Sequence, residues 1–130
     1  MLFKVKGSPT TWGGGKKERR WREAIYEKAK EYQKEFDKLI RNKTSEKHFK
    51  ITITFFLNNP EGKGNSGQDV DNLAKPVLDT LFNEKRIKLK NFSGALSKSI
   101  DDKEIYVLHI IKKKREQEGA EIEIQLSTND

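Results

Sequence analysis

The chain contains no cysteine, and no run of apolar residues approaches the ~20 that a membrane-spanning helix needs. The missing cysteine excludes a disulfide framework and a metal site built from thiolates. No glycine-rich loop of the P-loop or dinucleotide-binding type is found, which disfavours an enzyme acting on free nucleotides. The N-terminal stretch MLFKVKGSPTTW lacks the apolar segment of a signal peptide, so we expect a soluble, cytoplasmic protein with no membrane partner.

The length and the charge of the chain narrow the remaining possibilities. With 130 residues, it is expected to form a single domain over residues 1–130 around one modest core. The net charge of +7 is uneven, because residues 1–60 carry +8 and residues 61–130 carry −1. A basic half joined to a mildly acidic half suits a polyanionic partner held near a cation site. A lysine-rich solvated surface would give the same charge.

Hydrophobic periodicity predicts four strands and two helices. Strands are expected over residues 2–6, 49–57, 104–112 and 122–126, and helices over residues 17–42 and 71–85. Residues 104–112 are apolar on both faces, which predicts an interior strand. Pro76 fits best in a first helical turn, so the second helix is expected to begin close to Asn72. The order β-α-β-α-β-β predicts an α+β domain, a four-stranded mixed sheet with two helices packed on one face.

The segment GQDVDNLAKPVLDTL, residues 67–81, gathers carboxylates in this basic chain. Asp69 and Asp71 are two residues apart in an extended stretch, so both carboxylates are expected to point the same way. Lys75 and Asp79 follow at intervals of four, which places them with Asp71 along one edge of a helix. Two like charges this close repel each other unless a positive group lies between them. The segment therefore presents two carboxylates and an ammonium at one rim.

A hard divalent cation is the usual partner of such a carboxylate pair, and Mg²⁺ takes carboxylate oxygens while keeping several waters. The Asp101–Asp102 pair precedes the strand predicted over residues 104–112 and could add a third ligand. An oxygen-ligated cation can polarise a phosphoryl oxygen and activate a water, while a lysine neutralises charge developing on the phosphate. Together with a basic surface for a nucleic-acid backbone, these features predict a metal-dependent phosphodiesterase.

Each of these features also has a simpler interpretation. Asp69 and Asp71 could cap the free amides at the start of a helix. Lys75 and Asp79 could form an ordinary surface pair four residues apart. The Asp101–Asp102 pair could belong to a turn. The chain would then be a non-catalytic nucleic-acid-binding module.

The string DVDNLAKPVLD resembles the motif of the RusA-type Holliday junction resolvases, DNA endonucleases that occur in bacteria and phages. That family carries Asp-x-Asp-Asn-Leu-x-Lys where a helix opens, an aspartate further along the helix, and an Asp-Asp pair before a strand. The matching residues here are Asp69, Asp71, Asn72, Leu73, Lys75, Asp79 and Asp101–Asp102. The family shows the same succession of strands and helices, although strong local similarity is confined to residues 69–82.

The resemblance implies a Mg²⁺-dependent endonuclease, with Mn²⁺ as a substitute. Asp69, Asp71 and Asp102 would hold the metal, with Asp101 as the second choice for the third ligand, and Lys75 would assist catalysis. The protein would be a homodimer that binds branched DNA and cuts four-way junctions with symmetric nicks during recombination and repair. It would be encoded by a bacterium or a phage and would act at the nucleoid.

The resemblance also assigns supporting residues, and two segments depart from the family pattern. Asn72 and Asp79 would support the site structurally. The interval between Asp79 and Asp101 is longer than usual, with LKNFSGALSKS as an insertion within residues 86–100. The first loop, GSPTTWGGGKKERR, lacks the usual Asn- and Tyr-containing segment but stays basic. Its cations are expected to contact DNA phosphates, namely Lys16, Lys17, Arg19 and Arg20.

Overall fold

The computed structural model describes residues 1–11, 13–61, 69–82 and 104–128. These residues form β1 (Leu2–Lys6), α1 (Lys16–Lys30), α2 (Gln33–Arg41), β2 (Lys47–Leu57), α3 (Val70–Leu81), β3 (Ile105–Lys114) and β4 (Gly119–Thr128). A mixed four-stranded sheet with helices confirms the expected α+β class, although the described residues contain three helices where two were predicted. None of these three helices combines the length and the apolar character needed to cross a membrane.

The four strands form one sheet in the order β1-β4-β2-β3. β4 is antiparallel to both β1 and β2, whereas β3 runs parallel to β2. The prediction of an interior strand over residues 104–112 is wrong, because β3 pairs only with β2 in the part of the chain that the structure describes. Tyr106 on this edge strand is 59% exposed. The apolar residues on both faces of this segment therefore did not indicate that a hydrogen-bonded strand lies on each side of it.

The core lies on one face of the sheet, beneath the helices. From Phe49 onwards, every second residue of β2 is at most 2% exposed, which is the alternation expected of a strand: Phe49, Ile51, Ile53, Phe55 and Leu57. Ile122 of β4 pairs with both Phe3 and Ile53, so the inward side chains of three strands share this face. Side chains from all three helices enter the same buried cluster, among them Trp21, Phe36 and Leu73. Burial of this apolar surface is the main term that holds the helices on the sheet.

The helix predicted over residues 17–42 is interrupted at Glu31 and Tyr32, which separates α1 from α2. Tyr32 has φ −106° and ψ 15°, outside the helical range, and its ring stacks on Phe3 with centroids 5.1 Å apart. The apolar stripe continues across the interruption, since Ala29 and Phe36 are both fully buried. No glycine or proline marks the position, so hydrophobic periodicity predicted one helix.

α3 begins at Val70, so Pro76 lies in its middle and not in its first turn as predicted. A proline has no N–H, and the carbonyl of Asn72 therefore loses its usual helical donor. Pro76 is buried, and its own carbonyl accepts a hydrogen bond from Thr80 Oγ1 at 2.6 Å. Because β2 and β3 are parallel, α3 lies on the connection that returns the chain from the end of β2 to the start of β3.

Candidate metal site and nucleic-acid interface

The first two aspartates of the predicted site lie at the start of α3. Asp69 is the residue immediately before the first helical turn, and Asp71 lies within that turn. Both side chains are exposed. In the first turn, the positive end of the helix dipole favours the negative charge of Asp71. We call Asp69, Val70 and Asp71 the acidic end of α3.

Asp69 adopts the backbone conformation of a capping residue without using its side chain as a cap. Its φ of −69° and ψ of 138° are extended, and its carbonyl accepts the N–H of Leu73 at 3.0 Å. Within the described residues, its carboxylate makes no capping hydrogen bond to the helix amides. Asp69 therefore does not make, in the described part of the chain, the side-chain bond that a purely capping role requires.

Lys75 and Asp79 continue the edge that Asp71 begins. Lys75 is exposed and Asp79 is half-buried, so this edge runs from solvent towards the interior. An exposed ammonium one turn beyond the acidic end suits the predicted role of Lys75 near a phosphate. Asn72, predicted to support the site, is also exposed.

The two described carboxylates fit a hard divalent cation, which prefers oxygen ligands. The proposed third ligand, Asp102 or alternatively Asp101, lies outside the described residues, as does the insertion within residues 86–100. In the described ranges, no group of three His, Cys, Asp or Glu side chains is gathered closely enough to hold a metal ion. The structure therefore describes two members of the predicted metal site.

The predicted DNA-contacting residues form an exposed group at the start of α1. Lys16, Lys17, Arg19 and Arg20 are all exposed, and they occupy the first five positions of the helix with Glu18 among them. Lys17 and Arg20 also border a cleft of about 1040 Å³. This cleft lies where β1 and β2 end, and its far rim carries Asn58 and Asn59. The sequence analysis assigned no functional role to these two asparagines.

A buried arginine joins α1 to the last turn of α3. The Arg22 side chain is only 2% exposed. Its Nε donates to Thr80 Oγ1 at 2.8 Å, and its Nη1 lies 3.5 Å from Glu18 Oε2. Burial lowers the pKa of Arg22, and the negative charges of Asp79 and Glu18 oppose that effect. The guanidinium remains charged at any pH at which proteins are usually studied.

Glu18 extends this network to the glycine loop before α1. While Oε2 of Glu18 faces Arg22, its Oε1 accepts the backbone N–H groups of Gly13 and Gly14. Gly13 has φ +87°, a conformation that favours glycine. The loop, α1 and the last turn of α3 are thus tied together by one carboxylate and one guanidinium. We call Asp79, Thr80 and Leu81, with the bound Arg22, the arginine end of α3.

Sequence reasoning missed Arg22, although two signals were available. Arg22 follows Trp21 in the apolar stripe of α1, and it lies four residues after Glu18. A cation beside the stripe and one turn beyond a carboxylate can be buried as an ion pair. The contact to Thr80 is separated by 58 positions along the chain, so local spacing could not predict it.

A scan of the chain against models of known protein families finds no match, and a search of curated proteins finds no significant match. The resemblance of DVDNLAKPVLD to the resolvase motif therefore stays a prediction from the sequence, and the described geometry is the ground for a functional proposal.

Proposed function

We propose that this protein is a Mg²⁺-dependent endodeoxyribonuclease that resolves four-way DNA junctions by paired phosphodiester hydrolysis. The observation that carries the proposal is the acidic end of α3, where Asp69 and Asp71 are exposed and Asp69 makes no capping bond in the described residues. Two exposed carboxylates at one helix start, of which Asp69 makes no capping bond in the described residues, are suited to a divalent cation. The exposed cations of α1 supply the complementary surface for a DNA backbone.

In this proposal, Asp69 and Asp71 hold Mg²⁺ or Mn²⁺ together with Asp102, and Asp101 is the second choice for the third ligand. A bound cation of this kind supplies Lewis-acid polarisation of the scissile phosphate and a more nucleophilic water. Lys75 extends from the same exposed edge of α3 and neutralises charge on the phosphate as it develops. Paired cuts across a junction require two such sites, which a homodimer provides.

Junction cleavage with matched variants tests the proposal. A labelled four-way junction is incubated with the wild type in Mg²⁺, in EDTA, and with the Asp71→Asn variant. Glu35→Gln is the control, because it removes one exposed carboxylate from α2. We expect the wild type and the control to cut the junction in Mg²⁺. We expect Asp71→Asn to lose more than about 100-fold in rate, since loss of an outer-shell partner alone costs about 10–100-fold in metal sites.

Two results would contradict the proposal. The first is the absence of cleavage by the wild type, and the second is equal cleavage by the wild type and Asp71→Asn. Binding of the junction without cutting, unaffected by EDTA, would favour the non-catalytic nucleic-acid-binding module.

A further inference from the structure

The cleft beside α1 has one basic wall. Lys17 and Arg20 lie one turn apart on α1, and both are exposed where they border the cleft. Lysine binds phosphate as a point charge, whereas the planar guanidinium of arginine donates two parallel hydrogen bonds to it. This wall therefore suits a phosphate group.

The remaining walls combine apolar and amide groups. Leu57, Pro9 and Trp21 are buried along the lining, and Asn58 and Asn59 are exposed at the rim. The indole Nε1 of Trp21 is buried and has no hydrogen-bond partner among the described residues. An apolar floor with amide side chains at the rim matches the flat faces and the polar edges of a nucleobase.

The rim of the cleft is held in place before any ligand binds. Glu118 Oε2 accepts the N–H of Asn58 at 2.9 Å, and the carbonyl of Glu118 accepts the N–H of Gly7 at 3.3 Å. A Cβ atom at Gly7 would approach Cε3 of Trp21 to 3.2 Å, so the glycine permits the close passage of the chain. Because these contacts hold the Asn58 rim beside the chain at Gly7, binding would require little additional ordering of that part of the cleft.

We infer that this cleft binds one unpaired nucleotide of a DNA strand, with its phosphate at Lys17 and Arg20 and its base between the apolar floor and Asn58–Asn59. The volume of about 1040 Å³ is slightly above the about 300–1,000 Å³ typical of small-ligand pockets, so one nucleotide fits in the cleft. A paired base presents only its edges in a groove, whereas an unpaired base also offers its faces. The inference deepens the proposed function and rests on it, since a base pair at the branch point of a junction would have to open for its base to enter the cleft.

The affinity for single-stranded DNA, measured in EDTA, tests the cleft, because no divalent cation can then contribute to binding. The probe is a short single-stranded oligonucleotide that contains one 2-aminopurine, and the comparison is the same sequence in a duplex. Asn59→Leu removes the amide from the rim of the cleft without changing the charge or adding an aromatic ring. Asn42→Leu is the matched control, because Asn42 is also exposed and borders a different depression, beside Met1 and Leu126.

We expect Asn59→Leu to weaken single-strand binding by about tenfold, since the edge of the base would lose a hydrogen-bonding partner. Asn42→Leu should bind the single strand like the wild type, and neither substitution should alter binding to the duplex. Arg20→Ala should weaken single-strand binding more than Lys34→Ala, which removes an exposed cation from α2.

Equal single-strand affinity for Asn59→Leu and the wild type would overturn the inference, as would an equal loss on the single strand and the duplex. If Asn59→Leu does not fold, Asn58→Ala/Asn59→Ala gives the same decision, since it removes both amides from the rim of the cleft without changing the charge. The outcome is separable from the proposed function. Cleft binding that survives without junction cleavage supports the cleft alone, and cleavage with unchanged Asn59→Leu binding rejects the cleft alone.

Discussion

The charged side chains at the two ends of α3 differ in burial and in their hydrogen-bond partners. At the acidic end, Asp69 and Asp71 are exposed, and Asp69 makes no capping bond in the described residues. At the arginine end, Arg22 is only 2% exposed, hydrogen-bonded to Thr80 and within 3.5 Å of Glu18. A buried charge needs partners to offset its lost hydration, whereas an exposed carboxylate does not. The arginine end is thus explained by folding, and the acidic end is where we propose that a divalent cation binds.

The largest expected effect is at the arginine end. Arg22→Ala should destabilise the protein by about 3–5 kcal/mol, because Glu18 would lose its cation while it remains largely buried. The Glu18 side chain is only 12% exposed. The free energy of unfolding in urea measures the loss. Arg20→Ala is the matched control and should change stability by less than about 0.5 kcal/mol, since Arg20 is exposed. Similar losses for the two variants would contradict a structural role for Arg22.

A smaller effect is expected from the partner on α3. Thr80→Val keeps the shape of the side chain but removes the acceptor of the Arg22 Nε–H, so it should cost about 1.5–3 kcal/mol of stability. A double-mutant cycle with Arg22→Ala should show that the two losses are not additive. Simple additivity would mean that the hydrogen bond between α1 and α3 contributes no coupling energy.

The basic start of α1 should affect DNA binding and not folding. Replacing Lys16, Lys17, Arg19 and Arg20 by alanine together should reduce the slope of log affinity against log salt concentration. The reduction is up to about 3.6, because each phosphate that a cation neutralises adds about 0.9 to the slope. Binding of duplex DNA is measured across a series of salt concentrations, with Lys34→Ala as the control. An unchanged slope would show that these four cations do not bind phosphates.

The smallest effect is expected at the acidic end. Asp69→Ala should change the free energy of unfolding by less than about 0.5 kcal/mol in EDTA, because the Asp69 carboxylate makes no capping hydrogen bond to the helix in the described residues. A true capping aspartate would cost about 0.5–2 kcal/mol. Urea denaturation of both proteins in EDTA gives the difference, and a loss near 2 kcal/mol would restore the capping interpretation.

Local patterns in the sequence were sufficient for much of the fold. β1 has the predicted bounds, and the inward residues of β2 are those that its alternation predicted, because side chains alternate along any strand. The interruption at Tyr32 was missed because a stacking contact with Phe3, and not a glycine or proline, accompanies it. The edge position of β3 was missed because the order of strands depends on the path of the whole chain.

Local spacing in the sequence also predicted part of the candidate site. Asp69, Asp71 and Lys75 lie close together in the sequence, so their shared place at the start of α3 was predictable. The extended stretch predicted for both aspartates is wrong for Asp71, which lies in the first turn of α3. Arg22 contacts Thr80 across the interface between two helices, and Asn58 reaches the cleft because β1 and β2 end at the same edge of the sheet, on either side of the start of β4. Contacts of this kind depend on tertiary packing and cannot be predicted from the spacing of residues along the chain.

The most direct measurement of the central claim is the thermal stability of the protein in increasing Mn²⁺. A cation that binds the folded state adds about 2.7 kcal/mol of stability at 100 times its Kd. We predict that Mn²⁺ raises the Tm of the wild type and of Glu35→Gln, and that the Asp69→Asn/Asp71→Asn double variant loses this increase. An equal response of the wild type and the double variant would contradict a metal site at the acidic end of α3.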